Sequence, residues 1–229
     1  MAEHAASSAL VSETIGAALG RSRRADAMAP KHGGPRGNAH LTAWTGLLLF
    51  VLFAAEGVTI LSIGPLITWH VAIGAILIPP TLLKTATTGW RIVRYYAGNS
   101  AYFQAGPPPT LLRILGPFVI ATSIAVLGTG VMLIVVGPNA TGVNWLLLHK
   151  LSFFAWLAAM GGHVLGRLIP GLMTARDGLS RTERVPGWLA RGVAIGLSIA
   201  AGVGLAFLLV HDEGSWTTAA AHHDHHRAQ

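Results

Sequence analysis

The sequence has no cysteine in 229 residues. This excludes iron–sulfur clusters, thiolate-ligated haem, covalent c-type haem attachment and disulfides. Charge is scarce as well. Charged residues make up 11% of the chain, with 9 acidic against 16 basic side chains. There is no P-loop, no Gly-x-Ser-x-Gly and no His-Glu-x-x-His, so no motif names a nucleophile, a phosphate cradle or a zinc-hydrolase centre. What the chain has is apolar surface. It is 52% hydrophobic, with a mean hydropathy of +0.55. That composition belongs to a polytopic membrane protein rather than a soluble core.

Five continuous apolar runs, 40–63, 66–88, 111–136, 143–170 and 188–210, each have the roughly 20 residues that a membrane helix needs. Continuous runs argue against a β-barrel, whose strands alternate. The expected fold is all-α: a four-helix up-down bundle with a fifth transmembrane helix, preceded by a disordered tail (1–39) and followed by a His-rich tail (211–229). Arg23-Arg24 resembles a twin-arginine signal, but no apolar segment follows it directly.

Arginine and lysine cluster in the N-terminal tail, in the connection after the second run (Arg91, Arg94) and in the one after the fourth (Arg167, Arg176, Arg181, Arg184). The other two connections have none. The positive-inside rule puts the N-terminus in the cytoplasm and the C-terminus outside. It also accounts for most of the net charge of +7 without a nucleic acid partner. Pro79-Pro80 is expected to kink the second helix, and Gly116-Pro117 the third. Gly192, Gly196, Gly202 and Gly204 give the fifth helix a close-packing role. Trp69, Trp90, Trp145 and Trp188 lie near run ends, as interfacial anchors do.

The candidate chemistry lies in histidines. The fourth run carries His149 and, fourteen residues later, His163. This spacing is close to four helical turns, so both imidazoles fall on nearly the same face. His70 lies in the second run at a depth matching that of His149, about 6 Å and 9 Å respectively at the helical rise. The second and fourth helices run parallel and stand diagonally in an up-down bundle. Two imidazoles so placed can clamp a haem iron from both sides, a state suited to electron transfer. Gly74, one turn after His70, leaves room for a flat macrocycle. Glu56, the one acidic residue within a run, can accept the second ring proton of a ligand imidazole, relay protons, or fix helix packing as a neutral acid. The plainer reading of each histidine is an interhelical hydrogen bond, and Lys150 beside His149 can snorkel to the interface.

At the other end, Lys84 stands fourteen residues after His70, where a two-haem protein would place another histidine. With Thr81, Thr85, Thr88 and Arg91 it forms a polar stripe expected to face inward, opposite His163 and Arg167. These cations can serve haem propionates, a quinone oxygen or an anionic lipid. His40 is the histidine available to pair with His163 around a second haem. The tract His222-His223-Asp224-His225-His226 reads as a solvated tail that can also bind metal. Asn139-Ala140-Thr141 matches a glycosylation sequon.

The stretches His70-Val71-Ala72-Ile73-Gly74, His149-Lys150 and Gly162-His163 resemble those of bacterial b-type cytochrome membrane subunits of the cytochrome b561 kind, whose relatives serve hydrogenases and formate dehydrogenases. The resemblance covers residues 40–170. It implies a haem b bundle in the bacterial inner (plasma) membrane, passing electrons between a quinone and a redox partner protein as a subunit rather than a stand-alone enzyme. Thr88-Gly89-Trp90-Arg91 and Ala105-Gly106-Pro107-Pro108-Pro109 are also similar to segments of uncharacterised actinobacterial membrane proteins, which imply no activity. Lys84 and the fifth helix depart from the cytochrome pattern. The other readings are a cofactor-free membrane scaffold or assembly partner, and a small transporter using Glu56, Lys84 and the histidines as a polar path.

Overall fold

A computed structural model describes residues 2–21, 26–29, 32–104, 106, 110–138, 141–179, 185–212 and 214. Arg23-Arg24, Lys31, Pro107 to Pro109, the Asn139-Ala140 part of the sequon, Arg181, Arg184 and the His222–His226 tract lie outside the described residues. Among those described, all regular structure is helical: α1 (Ala2–Ala18), α2 (Gly34–Ile60), α3 (Ile63–Tyr96), α4 (Ser100–Gln104), α5 (Thr110–Val136), α6 (Trp145–Leu179) and α7 (Trp188–Asp212).

Helices α2, α3, α5, α6 and α7 are long and apolar enough to cross a membrane. Their outer faces need an apolar solvent. Leu165 is 80% exposed and Phe207 76% exposed, which in water would be a standing hydrophobic penalty. The bundle is therefore a multi-pass membrane protein in contact with lipid. Four helices form a ring in which α2 packs on α3, α3 on α5, α5 on α6 and α6 back on α2. The pairs α3/α6 and α2/α5 stand across its diagonals, with little close backbone approach. Helix α7 lies outside the ring, mainly against α3.

Two local features differ from the sequence reading, and a third sets the prolines expected to kink α3 and α5 inside continuous helix. The stretch expected to be a disordered tail contains α1, and α2 begins at Gly34. The first is an alanine-rich segment, and alanine has the highest intrinsic helix propensity. It rests on α6 and α5, where the turn at Gly20 meets Met173 and Ile169. Helices α3 and α6 also run about two turns further than their apolar runs, to Tyr96 and Leu179. Finally, α3 continues as helix through Pro79 and Pro80, and α5 through Pro117.

Pro80 has no N–H to offer the carbonyl of Ile76, four residues earlier. In a membrane such a freed group must be satisfied by a neighbour. Gly202 of α7 packs onto this point. A Cβ there would lie 2.7 Å from Ile76 O and 2.9 Å from Ile76 Cα. The close-packing role expected of four glycines thus belongs to Gly202. Gly192, Gly196 and Gly204 have nothing within 4 Å of an added Cβ.

Candidate functional site: a histidine pair across the bundle diagonal

His70 on α3 is held by α2. The Thr59 hydroxyl donates to the Glu56 carbonyl oxygen at 2.6 Å. That uses the only proton the hydroxyl has. Thr59 Oγ1 also lies 3.0 Å from His70 Nδ1, so here it must accept, and Nδ1 carries the ring proton. Glu56 Oε1 accepts from the same Nδ1 at 3.0 Å. Glu56 Oε2 is buried without a hydrogen-bond partner.

His149 on α6 is held by α5 in the same manner. The Thr129 hydroxyl donates to Ala125 O at 2.7 Å and accepts from His149 Nδ1 at 3.1 Å. The Val126 backbone hydrogen-bonds the same ring. Ser152 lies 3.2 Å from the Thr129 hydroxyl and donates to the His149 carbonyl at 2.9 Å. Gly130 brings α5 close to the ring, since a Cβ there would lie 3.3 Å from His149 Cε1.

Both imidazoles are therefore Nδ1–H tautomers. Nε2 lies across each ring from these partners and keeps its lone pair, the state in which a histidine ligates a metal. The ring centroids are 6.3 Å apart and the planes cross at 82°. Two imidazoles facing one metal through nitrogens at about 2 Å each place their ring centres at about this separation. Among the described residues, no three His, Cys, Asp or Glu side chains are placed to hold a bare metal ion. A haem needs only the two axial imidazoles, because its macrocycle supplies the other donors. The residues fit that group.

Gly74 plays a different part from the one expected. It faces Glu56, with an added Cβ 3.4 Å from Oε1, so the room it leaves accommodates the carboxylate. Thr59, Thr129, Gly130 and Ser152 were not picked out from sequence. Their only signal is that each falls within one turn, or at the matching level, of a polar residue already noted.

Below the histidine pair lies an aromatic layer. Trp156 is buried, stands 4.5 Å from Phe53 of α2 between ring centroids, and stacks with Phe153 at 6.2 Å. Its indole N–H donates to Ser123 Oγ of α5 at 3.1 Å. Trp156 is seven residues from both His149 and His163, so it divides the bundle between them.

Beyond that layer, Lys84 donates to Thr42 O at 2.9 Å, and it shares electrostatic reach with His163 and Arg167. Thr87 supplies the neighbouring interhelical contacts, to Asn38 and Thr42. Arg91 is paired with Asp26 at 2.8 Å. His40 and His163, available to each other around a second haem, are not brought together. His40 packs against Gly178, fifteen residues along α6 from His163, and the charges that act on it are Arg191, Arg36, Asp177 and Asp26. No second pair of axial histidines is formed there.

No family model, curated protein or solved structure matches the chain.

Proposed function

We propose that the protein is a membrane electron carrier that holds one b-type haem between His70 and His149. The observation that carries this reading is the pair of Nδ1–H imidazoles, 6.3 Å apart, offered by diagonal helices. A haem with both axial positions filled by histidine supplies one-electron transfer rather than oxygen chemistry. The chain's own residues do the positioning. Glu56 and Thr59 fix the His70 ring, Thr129 and Val126 fix the His149 ring, and the Trp156 layer closes the bundle beneath. The electrons would pass between a quinone and a redox partner protein. The bacterial plasma membrane, with the arginine-rich end in the cytoplasm, is the setting that the charge distribution supports.

The test is the visible spectrum of the purified protein, oxidised and reduced. A b-type signal lost in both His70→Ala and His149→Ala, and retained in His163→Ala, is the expected result. One observation favours a second reading, a cofactor-free scaffold. The Glu56–His70 and Thr129–His149 contacts already tie neighbouring helices together. A colourless protein, produced with ample haem, decides for the scaffold.

A further inference from the structure

Among the described residues, Lys84 at the arginine-rich end of the bundle has no carboxylate acting on it. Lys84 Nζ makes its one described hydrogen bond to Thr42 O, at 2.9 Å. An ammonium has three donors, so two remain. Gly46 keeps α2 bare beside it, since a Cβ there would lie 2.7 Å from Nζ. From the diagonal helix come His163 and, one turn on, Arg167. His163 Nδ1 is sealed from solvent and has no hydrogen-bond partner. Arg167 is exposed at the bundle surface.

Among the described residues, no carboxylate acts on Lys84 or His163. Lys84 meets the charge of Arg167, and His163 meets those of Lys84 and Arg167. Asp26 acts on Arg167, but both its oxygens are already engaged by Arg91, at 2.8 and 3.4 Å. Uncompensated cations are costly in a low-dielectric interior. An ammonium and a guanidinium within electrostatic reach of one another, beside an unpartnered buried imidazole nitrogen, are what an oxyanion requires.

Depth narrows the source. Arg167 lies twenty-two residues beyond the start of α6 at Trp145, about 33 Å along the helix. A bilayer core is about 30 Å thick. The cluster therefore sits where hydrocarbon gives way to headgroups. It is also fourteen residues, about 21 Å, from the histidine pair along each helix, with the Trp156 layer between. We propose that Lys84, His163 and Arg167 form a phosphate-binding site at the arginine-rich membrane surface, filled by the headgroup of an anionic phospholipid. Basic pockets between membrane helices bind such headgroups. The proposal does not depend on haem.

The experiment is native mass spectrometry of the full-length protein in detergent, with added phosphatidylglycerol or phosphatidylcholine. A parallel thermal melt is run with inorganic phosphate. Phosphatidylglycerol is expected to be retained at least tenfold more strongly than phosphatidylcholine. Lys84→Met and Arg167→Gln should each abolish that preference, while Lys150→Gln at the opposite end leaves it intact. Stabilisation by inorganic phosphate that Lys84→Met removes, with no lipid preference, would keep the phosphate site but change its source. Equal retention of both lipids, with no response to phosphate, overturns the proposal using the wild-type protein alone, whether or not the variants fold.

Discussion

Replacing Gly202 by alanine tests how α7 is joined to the bundle. The new Cβ would stand 2.7 Å from Ile76 O and 2.9 Å from Ile76 Cα, whereas ordinary contact begins near 3.4 Å. Both neighbours are backbone, so no side chain can swing aside. The two helices must part by roughly half an ångström or more, enough to forfeit a quarter or more of each affected contact. Overpacking of this kind costs about 1–3 kcal/mol, and alanine's better helix propensity returns about 1 kcal/mol. A net loss of up to about 2 kcal/mol is expected. Gly196→Ala and Gly204→Ala are the controls, because nothing lies within 4 Å of either Cβ. They should be neutral, or stabilising by up to about 1 kcal/mol. The assay is equilibrium unfolding in mixed micelles, followed by tryptophan fluorescence. If Gly202→Ala unfolds together with its controls, the close approach at the proline-freed carbonyl is wrong.

Two other substitutions probe the interior. Glu56→Leu removes the carboxylate acceptor for the His70 ring proton and, on the proposed haem reading, should weaken haem retention by about 10- to 100-fold, measured by haem transfer to an apo-globin trap. Retention equal to wild type would mean that Thr59 alone orients the ring. Ser123→Ala and Trp156→Phe each strand the partner of a buried hydrogen bond and should each cost about 1–3 kcal/mol. The double variant should cost less than their sum, and strict additivity in denaturant melts would show that the indole–hydroxyl bond contributes nothing.

The membrane bundle was legible because span length and continuous hydrophobicity are physical requirements of a bilayer. The ends of α3 and α6 were less so, since hydropathy loses its signal once a helix leaves lipid. Helix α1 was missed because a short alanine-rich helix needs no long apolar run. The matched depth of His70 and His149 was readable from spacing alone, and so was the confrontation of Lys84 with His163. Glu56 was legible as an acceptor for an imidazole ring proton, but the threonines that fix each imidazole were not, since a threonine within a span most often hydrogen-bonds its own helix. Only the rotation of α2 and α5 about their axes turns Thr59 and Thr129 toward the histidines. The place of His40 was hidden for a related reason. Depth along separate spans does not show that the far end of α6 carries Gly178, rather than His163, up to the imidazole.

The chain's two ends are exchanged between its halves. The α2–α3 hairpin secures His70 and the α5–α6 hairpin secures His149, each with its own hydrogen bonds. Yet α1, made before the first hairpin, lies on the second, and α7, made after the second, lies mainly on the first. The two halves are clasped like folded arms. During synthesis the first hairpin must wait for the last helix before the carbonyl of Ile76 is covered. Prising the histidines apart afterwards means undoing two clasps at once, so the seam between them should open only when the fold as a whole gives way.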